Sequence, residues 1–460
     1  MEKKTLVLYT IAEVGHLFPM VELGKLFLQN NLNVSVVVVS LHDINSDRID
    51  SYISQASATH SISIHRLQLT SPPTNIAAGS FHLLRLANPQ LLDYLRSASS
   101  VTALILDLFC GAALEVAVEL SLPVYYFVPN AAFSLIAFLY LPTLHAKSTA
   151  SLKDLGDSPI HFPGLSRPLL ASDLPGPVSD WEDETCKAVI PLFERVPTAK
   201  GLIINTFESL EAGTLRALAE GVSVPGGTMS PIYPVGPVTA EKIVNEARHE
   251  SLAWLDGQPS GSVVFLSFGS LGVFPKAQLR QIAEGLDRSG QRFLWVVRAP
   301  PPEEHKGQLV AWGEADLEEL LPEGFVDRLA GRGLIVKSWA PQVEVLEHEA
   351  VGGFVTHCGW NSVLESIFAG VAMIAWPMYA EQRMNKVFLV EAGLAVEMRG
   401  HKEGMVGSGE VEEKVRWLME EEGGRVLKER LAAVREEARA AQTEGGTAHA
   451  ALKEIVRILS

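Results

Sequence analysis

Four short stretches of this chain hold residue types that could do chemistry: Glu13-Val14-Gly15-His16, Asp107, Ser267-Phe268-Gly269-Ser270, and His357-Cys358-Gly359-Trp360-Asn361-Ser362. A histidine and a carboxylate can work as a base and its orienter. The carboxylate holds one imidazole nitrogen and sets the tautomer while the other nitrogen takes a proton. His16 and Asp107 could equally be caps of the helices that follow them, and the residues alone leave both readings open. The glycine and serines of 267–270 let backbone N–H groups approach a phosphate. His357, Asn361 and Ser362 stand at a predicted helix start, where unsatisfied N–H groups and the helix dipole favour an anion such as a diphosphate. Adjacent His357 and Cys358 lack the spacing of a zinc pair, and no second Cys/His cluster completes four ligands, so no metal is expected and Cys358 reads as a small buried residue. There is no Gly-x-Gly-x-x-Gly and no Gly-x-x-x-x-Gly-Lys, which argues against a nicotinamide-dependent dehydrogenase and against an ordinary P-loop.

All four stretches follow apolar runs that read as strands. Thr5–Thr10, Met20–Asn30 and Val34–Ser40 read as strand, helix and strand, and Ala103–Asp107, Ala112–Leu120 and Val124–Val128 repeat that order. A second series runs through Ser262–Phe268, Pro275–Ser289 and Phe293–Arg298, then Gly333–Ser338, Gly353–His357 and Val371–Trp376. This βαβ grammar predicts an α/β protein of two facing Rossmann-like domains with parallel sheets, whose ligands sit outside the carboxyl ends of the strands. Expected boundaries are 1–237, a linker over 238–250 rich in Pro, Gly, Ala and charge, a second domain over 251–440, and a C-terminal helix over 441–460 packing back on the first domain. The charged stretch from Glu410 onward, with Glu420, Glu421 and Glu422 in a row, reads as helix with a solvated face.

Length and charge limit the partners. At 460 residues the chain exceeds what one core organises, and 38 basic against 54 acidic residues leave a net charge of −16. Such a surface repels nucleic acid and anionic membranes. Three scattered cysteines do not form a disulfide framework, the N-terminus reads as a first strand rather than a leader, and the apolar run near Ala131–Leu141 falls short of the roughly 20 residues of a membrane span. A cytoplasmic location is expected.

Residues Trp339 to Gln382 form a recognisable 44-residue block, WAPQVEVLEHEAVGGFVTHCGWNSVLESIFAGVAMIAWPMYAEQ. It resembles the signature box of plant family 1 UDP-glycosyltransferases. The resemblance extends to Gly-His-Leu at 15–17, Ile-Asn-Thr-Phe-Glu-Ser-Leu-Glu at 204–211, Trp-Leu-Asp at 254–256 and Ser-Phe-Gly-Ser at 267–270, nearly the whole chain. It implies a GT-B fold with the acceptor bound by the N-terminal domain, the sugar nucleotide by the C-terminal one, and reaction in the cleft between them. It also implies an inverting glucosyl transfer to a small phenolic or flavonoid hydroxyl giving a β-glucoside, with no cofactor beyond UDP-glucose as co-substrate, and a monomer.

Carried over residue by residue, the resemblance makes His16 the general base and Asp107 its stabilising partner. Trp339, with Ala340 beside it, would stack on uracil, and Gln342 and Glu365 would hold the ribose region. His357, Asn361, Ser362 and Ser270 would hold the diphosphate, and Trp360, Glu381 and Gln382 the sugar. Gln382 in place of His is similar to the pattern of UDP-glucose users, and Asn130 is the candidate for a further sugar contact from the N-terminal domain. Gly15 and an apolar wall from Phe81, Leu83, Leu84, Phe109, Phe127, Phe133, Phe138, Tyr140 and Phe193 would receive a flat aromatic acceptor. The chain departs from the family in Ala372, where the box usually has Pro, and in the stretch 71–100, which is about ten residues shorter than expected in relatives, near the usual boundary error. Transfer to an aromatic carbon, or UDP-sugar binding without turnover, remain the alternatives.

Overall fold

The computed structural model describes residues 4–40, 46–60, 62–69, 81, 84–224, 226–241, 248–301, 313–329 and 331–460. Leu83, residues 71–80 of the stretch 71–100 and residues 242–247 of the expected linker lie outside them. Two units divide the chain: Met1–Ala240 with Ala438–Ser460, and Glu241–Glu437. The first crossing follows Ala240, and the second follows Glu437, inside the helix Glu422–Gln442.

In the first unit seven parallel strands stand in the order β3-β2-β1-β4-β5-β8-β9: β1 (Thr5–Ile11), β2 (Asn33–Ser40), β3 (Ser63–Gln68), β4 (Val101–Asp107), β5 (Val124–Val128), β8 (Gly201–Ile204) and β9 (Ile232–Pro234). β6 (Pro159–Ile160) and β7 (Leu169–Leu170) form a small antiparallel ribbon. The inner strands are near-continuous apolar runs because both sheet faces are covered. Edge strand β3, SIHRLQ, is mostly polar, and sequence patterning passes over it. The helix Thr447–Leu459 places Leu452, Ile455, Val456 and Leu459 on one stripe and buries them in this unit's core.

In the second unit six parallel strands run β12-β11-β10-β13-β14-β15: β10 (Val263–Ser267), β11 (Arg292–Val297), β12 (Gly333–Lys337), β13 (Val351–Thr356), β14 (Met373–Ala375) and β15 (Ala395–Glu397). The expected strand Val371–Trp376 is only three residues long, since Val371 and Ala372 lead into it. Ala372 is fully buried and its carbonyl accepts from the Phe354 N–H at 2.9 Å.

Both sheets reverse strand order once about a central pair, β1 beside β4 in one and β10 beside β13 in the other. At such a reversal the crossover connections leave in opposite directions, so a crevice opens outside the carboxyl ends of those two strands. His16 lies in the first turn of the helix that follows β1, and Asp107 closes β4. The loops after β10 and β13 carry Ser270 and His357.

Candidate functional site

The first crevice is built by the helix Val14–Gln29, which begins earlier than periodicity predicts. Burial of Leu17, Phe18, Met20 and Val21 carries the helix through Pro19, which reads locally as a break. His16 therefore sits in the first turn rather than before it. Its Nδ1 lies 2.8 Å from Asp107 Oδ2, with Asp107 wholly enclosed and His16 partly exposed. The other carboxylate oxygen of Asp107 accepts the Phe109 N–H at 3.1 Å, so the acid is clamped by its own turn. Phe109 meets the imidazole edge-on at 5.4 Å, and Phe81 meets Phe109 in turn at 5.9 Å. The capping alternative for His16 does not fit, because Glu13 occupies the cap position.

Gly15 lies inside the first turn of this helix, next to His16. Its φ is ordinary and a Cβ there would meet nothing within 4 Å, so what it provides is open space beside His16. A cavity of about 420 Å³ in this unit is lined by Phe81, Phe109, Tyr126 and one face of the helix Glu184–Arg195. Two expected wall residues are corrected. Phe127 is fully enclosed in the core on the opposite sheet face, and Phe193 is fully enclosed against Phe138, stacked at 5.3 Å. Strand alternation sends Phe127 one way and Tyr126 the other, which composition cannot show. Asn130 is buried just before the helix Ala132–Lys147. That helix start is braced by Glu211, whose oxygens accept the Ala132 and Phe133 N–H groups at 3.0 and 2.7 Å. Burial raises the Glu211 pKa from its ordinary value.

In the second unit His357 follows β13 and is buried, with glycines on two sides. A Cβ at Gly269 or at Gly359 would lie 2.4 Å from its Nε2. Both positions must stay bare for the imidazole to sit between the two loops. Cys358 takes a left-handed φ of 67°, and its carbonyl accepts from Asn385 Nδ2 at 2.9 Å. Asn385 also reaches Glu381 at 3.3 Å. It thus ties the His357 turn to Glu381, and the short spacing from Glu381 was the signal that could have revealed it. Burial, and then the neighbouring Arg298 charge, push the His357 pKa down to about 4, so the imidazole is neutral at physiological pH.

Gln342, Ser362 and Glu365 converge. Gln342 Nε2 donates to Glu365 Oε2 at 2.6 Å and to Ser362 Oγ at 2.8 Å. Half-buried Trp339 stands edge-on to His249 at 5.5 Å, with Ala340 buried next to it. Asn361 and Ser362 occupy the first turn of the helix Trp360–Ala369. Trp360 differs from expectation: its side chain is buried and packs against Phe388 at 6.0 Å, which removes most of the ring from any ligand. Gln382 is buried too, and its Oε1 accepts the Met378 and Tyr379 N–H groups, both at 2.9 Å, so only its amide nitrogen can serve a sugar. Among the described residues no group of three His, Cys, Asp or Glu side chains is placed to hold a metal, and no helix is long and apolar enough to cross a membrane.

The chain is similar over nearly its whole length to known proteins. The sequence model described as UDP-glucoronosyl and UDP-glucosyl transferase matches residues 228–423. Phloretin 2'-O-glucosyltransferase of Malus domestica is 45% identical over 96% of each chain, and anthocyanidin 5,3-O-glucosyltransferase of a Rosa hybrid cultivar is 42% identical over 98% of each. A solved UDP-glucosyltransferase from Polygonum tinctorium, capable of glucosylating indoxyl, superposes with a TM-score of 0.87 at 35% identity, covering 100% of this chain and 99% of that one. With both Rossmann-like sheets, both switch-point crevices and a likeness of this extent, the chain belongs to the GT-B family of plant UDP-dependent glycosyltransferases.

Proposed function

We propose that the protein transfers glucose from UDP-glucose to a hydroxyl of a small phenolic acceptor, with inversion to a β-glucoside. The observation that carries this reading is the 2.8 Å contact between His16 Nδ1 and the enclosed Asp107. With Nδ1–H given to the carboxylate, Nε2 is the nitrogen that takes the acceptor proton. The acceptor oxygen then bonds to the anomeric carbon as the bond from that carbon to the diphosphate breaks, and UDP leaves with the electron pair. Asp107 offsets the charge of the imidazolium so formed.

The donor side rests on the second unit. Trp339 offers an aromatic face to uracil, the Glu365 carboxylate and the Gln342 Oε1 are acceptors for the ribose hydroxyls, and the 267–270 loop with His357, Asn361 and Ser362 supplies the donors to the diphosphate. Glu381 and the Gln382 amide nitrogen address the sugar. The names of the phloretin and anthocyanidin enzymes support glucose as donor and a polyphenol as acceptor, and the rings of Phe109 and Phe81, reaching outward from the His16 imidazole, suit a flat ring. The same reading holds that the enzyme is a cytoplasmic monomer needing neither metal nor cofactor.

The test is mass spectrometry of products formed from UDP-glucose and a panel of flavonoids, simple phenols and terpenoid alcohols, with the anomeric coupling of any product read by NMR. A hexose added to phenolics in the β configuration by the wild type, and not by His16→Ala, is expected. No product despite measurable UDP-glucose binding would favour a binding protein, and an α product would exclude the inverting step.

A further inference from the structure

Arg298 belongs to no part of the site as read above, yet it stands inside it. It follows β11 directly, at the same carboxyl edge as the 267–270 loop, and one of its terminal nitrogens donates to the Ser270 carbonyl. Its Nε is buried with no hydrogen-bond partner among the described residues, and no carboxylate there forms an ion pair with it. Other arginines of this unit, such as Arg332 with Asp287 and Arg288 with Glu412, are paired. A guanidinium partly withdrawn from water, with Nε enclosed and no counter-charge, is held at a cost that an anion arriving beside it offsets.

We infer that Arg298 is the charge-compensating residue of the diphosphate subsite, anchoring the 267–270 loop through Ser270 and balancing the UDP phosphates from beside His357. The inference rests on the second unit holding UDP. The groups that face Arg298 are His357, from the turn after β13, and Tyr379, from the segment after β14. Neither is anionic at neutral pH: the imidazole is kept uncharged, and burial pushes the Tyr379 hydroxyl up to about 12. The fixed positive charge at this edge therefore lies on Arg298. His357 nitrogen Nδ1 is likewise buried without a hydrogen-bond partner among the described residues. A second polar group aimed at nothing within the protein is what a subsite shaped for an external anion leaves behind. Arg298 acts through Ser270 and His357 and by its charge, as a positioning residue.

Calorimetry on the full chain tests this with uridine, UMP and UDP as probes, using wild type, Arg298→Met, Arg298→Lys and Arg298→Gln. Loss of a charge-assisted contact predicts about tenfold to a hundredfold weaker UDP binding in the Met variant, with uridine unchanged within about twofold and UMP between. The Lys variant should recover most of the loss. The Gln variant, which keeps a donor to Ser270 without the charge, should not, and it carries the comparison should the Met variant fail to fold. Histidine NMR adds a readout that a scaffold role would not move: the His357 titration midpoint should rise in the Gln and Met variants and stay low in Lys. A wild-type ratio of UDP to uridine affinity in the uncharged variants, or equal losses on all three probes, overturns the inference. If wild type itself binds no UDP, or Trp339→Ala leaves uridine binding untouched, the reading of the site has failed instead.

Discussion

Asp107→Asn tests the acid–base arrangement with the least disturbance. The amide is nearly isosteric, and its oxygen can still accept the Phe109 N–H that Asp107 Oδ1 accepts at 3.1 Å, so the turn after β4 should survive. What disappears is a negative charge in contact with His16 Nδ1 at 2.8 Å in an enclosed position. Between an imidazolium and a carboxylate whose charge centres lie about 4 Å apart, an effective dielectric of about 20 corresponds to about 4 kcal/mol. That stabilisation is present only once the proton has moved, so it falls on the barrier, and at 1.36 kcal/mol per decade it amounts to about a thousandfold in kcat. Steady-state UDP release, together with UDP affinity by calorimetry, separates the terms: kcat should drop about a thousandfold with UDP affinity and thermal midpoint nearly unchanged. Weakly acidic alcohols should suffer more than acidic phenols, which need less help to lose the proton. A loss under about tenfold in a folded variant, or a loss residing in nucleotide affinity, would refute the assignment of Asp107 as partner of the base.

Three further outcomes are expected. Glu365→Ala removes the carboxylate that Gln342 holds at 2.6 Å, and UDP binding should weaken about tenfold while 2'-deoxy-UDP, lacking one hydroxyl to recognise, loses less; equal losses would place Glu365 outside the ribose site. Gly359→Ala puts a Cβ 2.4 Å from His357 Nε2, so the imidazole must move and UDP affinity should fall at least about tenfold with circular dichroism preserved; unchanged affinity would mean His357 does not touch the nucleotide. Glu397 is held down to about 2 by its hydrogen bond to His401, then by Lys386 at 3.1 Å and Lys402, against the opposing effect of burial. A depressed carboxylate contributes stability above its unfolded pKa of about 4.5 and loses it as pH falls toward 2. Denaturant melts of Glu397→Gln should therefore show a shallower decline over that window, by about 1–2 kcal/mol after solvent screening, and an identical slope would count against the network.

Strand order explains why part of this was readable and part was not. The apolar runs of β1, β4, β10 and β13 are long enough to announce themselves. Polar β3 and the three-residue β9 and β15 are not, because an edge or a short pairing imposes little pattern on its residues. Likewise His16 and Asp107 were identifiable as residues at strand ends. That they share a hydrogen bond across a separation of 91 positions follows from β1 and β4 being neighbours, which no local pattern encodes.

The sequence by itself determined that this is an acidic α/β protein of two parallel-sheet units, where in the chain its polar loops lie, and through the block 339–382 which family it resembles. These are properties of local periodicity and of residue type in order. Only the tertiary structure decided that Phe127 and Phe193 are core, that Trp360 turns against Phe388, that the Gln382 oxygen is already bound by backbone, and that half-buried Arg298 stands beside His357 with its Nε enclosed. Each of these depends on which elements meet and on which side of a strand a side chain leaves. Those are set by nonlocal packing, where burial of apolar area outweighs the preferences of any single residue.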